Sequence, residues 1–123
     1  MYRPMLVFNL AVGVVLFVVG CVAGADLPDA DPSIRGTITS LTPTADGAVL
    51  MVEAGATVTY EYDRASVTVT TDTHIYAQDP DGRLTRISAA DLASGQIVDV
   101  WFSGAVAESY PVQAHAGTLV VLR

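Results

Sequence analysis

The sequence predicts an all-β protein, a small barrel of five to seven short strands with one short helix, preceded by a signal peptide and a flexible tether. From position 34 onward, apolar residues recur at every second position in short runs, which is the period of a strand with one buried face. Residues that favour turns, such as Asp-Gly and Asp-Pro pairs, separate these runs. The chain of 123 residues has the length of one domain with one core.

The first twenty residues have the composition of a secretory signal. Arg3 gives the N-terminus a positive charge, and positions 5–20 are apolar apart from Asn9. A helix over these positions would be about 24 Å long, which is shorter than the ~30 Å hydrocarbon core of a bilayer. This length is typical of the hydrophobic region of a signal peptide rather than of a membrane-spanning helix.

The only cysteine of the chain, Cys21, directly follows Gly20 at the end of the apolar segment. This arrangement resembles the lipobox of bacterial lipoproteins, in which the thiol is alkylated by a diacylglycerol and the cysteine becomes the new N-terminus. The resemblance implies lipidation of Cys21, with palmitate-like acyl chains anchoring the protein to the bacterial cell membrane. The alternative is an uncleaved N-terminal anchor with a buried cysteine. Both interpretations place the rest of the chain outside the cytoplasm.

Positions 22–33 are small, acidic and proline-bearing, without a period of 2 or 3.6, and therefore predict a linker. The expected organisation is a signal peptide over 1–20, a lipidated cysteine and linker over 21–33, and a barrel domain over 34–123. Without residues 1–20 the chain has 5 Arg and 13 acidic residues, a net charge of −8. This charge argues against nucleic acid as a partner. Because anionic headgroups would repel it, we expect the domain to stand away from the bilayer.

Seven segments of the barrel domain have the pattern of strands, either alternating or continuously apolar. Five-stranded barrels of the OB type fit this length, since closure removes the edge strands that would otherwise aggregate. A β-sandwich is the alternative. Ile and Val side chains are expected to fill the barrel interior and leave no room for a ligand inside. The predicted strands are 34–41, 48–53, 57–62, 65–70, 73–77, 96–103 and 118–122, with turns at 42–47 and 79–82.

The one predicted helix is short. Ser88 and Asp91 have the spacing of a capping box, and Gly95 stands where the chain leaving a helix often needs a positive φ. We therefore expect one or two helical turns here.

Several segments together carry a resemblance to a known family. They are Arg35–Ile38, Thr70–Thr73 with Ile75, Asp91–Leu92 with Gly95–Gln96, Val100–Phe102 and, as the most specific, Gly104–Ala114. On these segments the chain from Arg35 to the C-terminus resembles the YobA-like small bacterial lipoproteins, a domain-of-unknown-function family. The resemblance implies secretion, lipidation and an OB-like barrel, and it implies no activity.

The segment from Trp101 to Gln113 is the predicted binding surface. Its aromatic rings can stack on a ligand while its carboxylate and hydroxyl groups form hydrogen bonds, as in sites for peptides and glycans. The alternative is that Tyr110 and Pro111 cover the end of the barrel while Glu108 pairs with an arginine or caps backbone amides. The candidate residues are Trp101, Glu108, Ser109, Tyr110, Pro111 and Gln113.

A second aromatic group, Tyr60, Tyr62 and Tyr76, is a candidate platform on one face of the barrel. Nucleic-acid platforms combine stacking rings with a positive groove. Glu61 and Asp63 flank these rings instead. A neutral sugar polymer or a peptide is therefore the better match.

The sequence contains no nucleophile elbow around Ser109 and no glycine-rich phosphate loop. We therefore expect a non-catalytic binding module of the cell envelope, without cofactor or metal, whose partner is an envelope protein, a peptide or a glycan. One alternative is a metal-dependent envelope enzyme that uses His74, His115 and Glu108. Another is a purely structural spacer domain.

Overall fold

The computed structural model describes residues 27–123, so the predicted signal peptide and Cys21 lie outside the described residues. Over this range the protein is all-β, as the sequence predicts, with a single turn of 3-10 helix at Ala89–Asp91. The strands are β1 (Ile34–Thr44), β2 (Gly47–Glu53), β3 (Arg64–Val69), β4 (His74–Gln78), β5 (Leu84–Arg86), β6 (Ile97–Ala107) and β7 (Val112–Leu122).

Five of the strands form a closed barrel. They are ordered β3-β2-β1-β6-β7, with antiparallel neighbours, and β7 then pairs with β3 in parallel to close the ring. Two further strands lie outside the ring, because β4 pairs in parallel with the second half of β7 and β5 pairs antiparallel with β4. The predicted OB-like barrel is therefore confirmed, and the alternative of a β-sandwich is wrong.

The core is the interior of this barrel. Every strand of the ring contributes alternate side chains to it, so that β2 runs buried, half-buried, buried from Ala48 to Val52. The predicted inward face of β1 is confirmed, with Ile34 and Ile38 fully buried on either side of Gly36. The largest fully buried side chains are all Ile, Leu or Val: Ile34, Ile38, Leu50, Val52, Val67, Val69, Val98, Val100, Leu119 and Val120.

The predicted strand at 57–62 is wrong, because this segment is an irregular loop in which Val58 is 47% exposed. Its neighbours β2 and β3 pair directly with each other up to Glu53 and Arg64. The loop leaves this ladder through Gly55, whose φ is 79°. Since both barrel neighbours of β2 and β3 are already in place, residues 57–62 have no free strand edge to pair with.

Strands β6 and β7 are longer than the sequence pattern indicates. They form a hairpin, and only residues 108–111 connect them. Their register shifts between Ser103 and Ala107, where Gly104 has a φ of 74°. This bulge interrupts the alternation of apolar residues. The end of β6 and the start of β7 therefore lack the sequence pattern of strands, although both are strands in the structure.

The predicted helix is a single 3-10 turn. The backbone N–H of Ser88 donates to the Asp91 carboxylate at 2.9 Å, as the capping-box spacing predicts. Gly95 has a φ of 96° in the turn that leads to β6. No helix within residues 27–123 has the length and hydrophobicity that crossing a membrane requires.

One end of the barrel, which we call the linker end, comprises residues 27–33, 54–63 and 108–111. Strands β1, β3 and β7 begin at this end, and β2 and β6 finish here. The registers show this, because Thr37 near the start of β1 pairs with Glu53 at the end of β2. Likewise Ala65, near the start of β3, pairs in parallel with Val112 at the start of β7. The opposite end carries the β1–β2 turn with Asp46 and the β4–β5 turn at 79–82. The linker therefore enters at the end of the barrel that carries the β6–β7 connection.

Candidate functional site

The connection between β6 and β7 holds four of the six candidate residues, Glu108 to Pro111. The Ser109 hydroxyl donates to the carbonyl oxygen of Pro111 at 2.8 Å, and the Ser109 N–H donates to that of Ala107 at 2.8 Å. These local bonds fix the course of the connection. Tyr110 projects from it with 68% of its surface exposed.

The ring of Tyr110 is positioned by the start of β3. Its hydroxyl donates to the Asp63 carboxylate at 3.1 Å, although the two residues are 47 positions apart in the sequence. The Arg64 guanidinium carbon lies 5.6 Å from the ring centroid, a cation–π distance. Arg64 itself is held by an ion pair with Glu53 at 3.2 Å. Tyr110 is thus an exposed aromatic ring in a defined orientation, which lowers the entropy lost when a ligand binds to it.

Trp101 lies on the outer face of β6 and is half-buried. Its indole Nε1–H donates to the carbonyl oxygen of Ala30 at 2.8 Å, so the predicted linker runs past the ring. Ser33 adds two bonds to the same strand, donating its N–H to the Val100 carbonyl at 2.8 Å and accepting the Phe102 N–H at 3.1 Å. The last residues of the linker are therefore held on the barrel. Trp101 contacts this part of the linker through its indole N–H.

The three candidate platform tyrosines lie in three separate environments. Tyr62 packs against Phe102, with ring centroids 5.4 Å apart, and Tyr60 lies under the Arg35 guanidinium. Tyr76 is 5% exposed and too buried for a ligand to stack on it. The three rings do not form the common platform that the sequence suggests.

The Tyr62 hydroxyl lies beside two carboxylates of the linker end. Partial burial, together with the charges of Glu61 and then Glu108, raises the pKa of Tyr62 above its ordinary value of 10.0. The hydroxyl therefore stays protonated and able to donate a hydrogen bond at neutral pH.

A surface groove of about 340 Å³ lies where the bulged arm of β6 passes over β7 and β3. Its polar side chains are those of Thr68 on β3 and of Gln113 and His115 on β7, and no Asp, Glu, Arg or Lys lines it. The structure thus places Gln113, but not the other five candidate residues, in this groove. Residues 105–107 lie within the predicted surface 101–113 but were not among its named candidates, and an isolated glycine, Gly104, was the signal for their bulge. Thr68 on β3 was missed, because no local pattern links it to this segment.

The family comparison covers most of this architecture. The family model described as "Protein of unknown function (DUF3221)" matches residues 46–123. The chain belongs to this family. No match was found among curated proteins or among solved structures.

The DUF3221 match begins within the β1–β2 turn, so it includes β2 to β7 and all six candidate residues of the binding surface. Strand β1 precedes the match, yet it pairs with both β2 and β6 and is required to close the barrel. In this member of DUF3221 the folded domain therefore extends N-terminal to the residues that the family model matches.

The two histidines of the alternative metal-dependent enzyme, His74 and His115, pair at different positions of the sheet. His74 pairs with Thr118, whereas His115 pairs with Thr68 and Ser103. Thr118, the partner of His74, is three positions from His115 along β7, so the two histidines are offset by about 10 Å along the strand direction. Across residues 27–123, no group of three or more His, Cys, Asp and Glu side chains is placed to hold a metal ion.

Proposed function

We propose that this DUF3221 protein is a lipid-anchored extracytoplasmic protein of the bacterial cell envelope, related to the YobA-like lipoproteins, and acts as a non-catalytic binding module. The observation that carries the binding proposal is Tyr110. A ring with 68% of its surface exposed is held by the Asp63 carboxylate and the Arg64 guanidinium, in a connection that is itself hydrogen-bonded. Such fixed, exposed aromatic residues are typical of recognition surfaces.

The proposed anchor is Cys21, because it is the only cysteine and ends an apolar N-terminal segment. One acyl chain gives marginal membrane binding, whereas two or three, at ~0.8 kcal/mol per buried methylene, give a stable anchor.

The chemistry of the ligand follows from the groove and its surroundings. Thr68, Gln113 and His115 offer hydroxyl, amide and imidazole groups without a fixed charge. Strands β3 and β7 are paired with each other at this point, so an added peptide strand has no free ladder to join there. Recognition by side chains rather than by an added strand is typical of glycan binding, and we therefore favour a neutral glycan over a peptide.

Replacing Cys21 with Ala tests the anchor. We expect the wild-type protein to sediment with membranes and to float with them in a density gradient, and the Cys21→Ala variant to lose this association. Mass spectrometry of the N-terminal peptide should show an acylated Cys21 in the wild type. A wild-type protein with an intact, unacylated leader would contradict the lipoprotein proposal.

Co-sedimentation with purified peptidoglycan, and titration with neutral N-acetylglucosamine oligomers, test the binding surface. We expect Tyr110→Ala to weaken binding at least tenfold while the melting temperature stays within a few degrees of wild type. Asp46→Ala, on an exposed turn at the opposite end of the barrel, is the matched control and should bind normally. If the wild-type protein binds neither probe, the alternative of a purely structural spacer domain is favoured.

A further inference from the structure

We propose that the linker end of the barrel faces the membrane. The surface around Tyr110, formed by the β6–β7 connection at 108–111, would then meet molecules that lie close to the lipid headgroups. This inference rests on the proposed anchor at Cys21 and concerns the orientation of the domain. It limits the glycans that the surface can meet to those that lie within reach of the headgroups.

The first step is the attachment of the linker to the barrel. Three hydrogen bonds join the linker to β6. Trp101 donates its indole N–H to the Ala30 carbonyl at 2.8 Å. Ser33 donates its N–H to the Val100 carbonyl at 2.8 Å and accepts the Phe102 N–H at 3.1 Å. The N–H of Tyr62 donates a further bond to the Ser33 carbonyl at 3.3 Å. The chain therefore becomes part of the folded domain at Ala30, four residues before β1 begins.

The second step is the length of chain that remains. Nine residues follow Cys21 up to and including Ala30 in the sequence. Fully extended they span at most about 32 Å, and as a flexible chain they have a root-mean-square reach of about 17 Å. An anchor at Cys21 thus keeps the linker end within roughly 30 Å of the headgroups. The same limit applies if the apolar segment is an uncleaved anchor.

The third step is the direction in which the barrel extends from this point. Strand β1 runs from the linker end to the β1–β2 turn over 11 residues, about 35 Å of extended chain. The turn with Asp46 therefore lies on the far side of the domain from the attachment. The β6–β7 connection with Tyr110 lies on the near side, because β6 ends and β7 begins at the linker end.

The surface of the linker end is consistent with this orientation. Of the three large hydrophobic residues that are exposed within residues 27–123, Val58 and Tyr110 both lie at this end. Carboxylates are present there as well, including those of Glu61 and Glu108 beside Tyr62. Because anionic headgroups repel these charges, the end faces the bilayer across a gap, and the gap should widen as the anionic lipid content rises.

Energy transfer from the protein to the lipid surface tests the orientation. The full-length, acylated protein is incorporated into phosphatidylcholine vesicles that carry a headgroup-labelled acceptor. The donor is attached to a single introduced thiol, either Glu108→Cys at the linker end or Asp46→Cys at the opposite end. Both positions are exposed and both substitutions remove one carboxylate, so the two variants are matched. The acylated Cys21 does not react with the label.

We expect transfer from position 108 to be at least twice that from position 46. Insertion of ten Gly and Ser residues between Gly24 and Ala25 should bring the two values closer together. Equal transfer in the vesicle-bound protein, or greater transfer from position 46, would overturn the orientation while leaving the anchor intact. Failure of the wild-type protein to float with vesicles would overturn the anchor itself, and the orientation with it.

Discussion

The guanidinium of Arg35 donates two hydrogen bonds to the carboxylate of Asp99, from Nε to Oδ1 at 2.6 Å and from Nη2 to Oδ2 at 2.8 Å. The two residues stand directly opposite each other on β1 and β6. Tyr60, from the loop between β2 and β3, stacks on the same guanidinium at 5.6 Å. The hydrogen bond to Asp99 raises the pKa of Arg35 above its ordinary value, so the guanidinium remains charged over the physiological range. One side chain thus connects two barrel strands to the loop that follows β2.

Loss of Arg35 should destabilise the barrel, because the Asp99 side chain is only 8% exposed and would be left without its partner. Removing one member of a buried pair typically costs 3–5 kcal/mol, and the exposure of Arg35 lowers our expectation for Arg35→Ala to about 2–3 kcal/mol. Urea denaturation measures the loss. The double variant Arg35→Met with Asp99→Leu should recover most of it. A single variant as stable as wild type would contradict a structural role for the pair.

Gly36 should tolerate no side chain. A Cβ at this position would lie 2.5 Å from the carbonyl oxygen of Glu53 and 2.9 Å from the backbone nitrogen of Ala54, where neither can move without separating β1 from β2. We expect Gly36→Ala to lower the free energy of unfolding by about 3 kcal/mol. Gly55→Ala is the control, because its φ of 79° is unfavourable for alanine but the space around it is open. That change should cost only about 1 kcal/mol.

Thr73 connects the outer strand β4 to the barrel through a buried hydroxyl. The hydroxyl donates to the Ala116 carbonyl oxygen at 2.8 Å and accepts the Thr70 N–H at 3.1 Å. Thr73→Val keeps the shape but leaves both backbone groups without this partner, and we expect a loss of about 2 kcal/mol in thermal or chemical denaturation. Thr73→Ser retains the hydroxyl and should lose less than about 1 kcal/mol, the value of one buried methyl group. Equal losses in the two variants would show that packing, not hydrogen bonding, is what matters here.

Trp101 should control how firmly the linker is held. Trp101→Phe removes the indole N–H that binds the Ala30 carbonyl, which is worth about 1 kcal/mol. We expect faster amide hydrogen exchange at Ser33 and its neighbours, with little change in the interior of the barrel. Tyr110→Phe, at the same end but without a bond to the linker, should leave this exchange unchanged. Exchange at Ser33 that does not respond to Trp101→Phe would mean that the backbone bond to Val100 alone holds the segment.

A strand could be predicted from the sequence wherever its alternation of apolar and polar residues matches its alternation of buried and exposed side chains. In β1 to β3 the inward residues alternate with half-buried ones, since a strand on a closed barrel has one face toward the core. The turn at Asp79–Gly82 was predictable for a similarly local reason, and the Gly82 N–H donates to the Asp79 carbonyl at 2.8 Å. The alternation at 57–62 is as clear as that of β1, but a strand also needs a partner edge, which a local pattern does not report.

The sequence by itself predicted the fold class and the inward faces of the barrel strands, because each depends on neighbours within a few positions. It named Tyr110 and its neighbours only as candidates. Tertiary structure alone decided which of these residues meet. Closure of the barrel through β3 and β7 brings Asp63 to the Tyr110 hydroxyl across 47 positions. The pairing of β1 with β6 likewise brings Ala30 to the Trp101 indole across 71 positions. Contacts over such separations follow from strand register, which is set by the packing of the whole core rather than by any single segment.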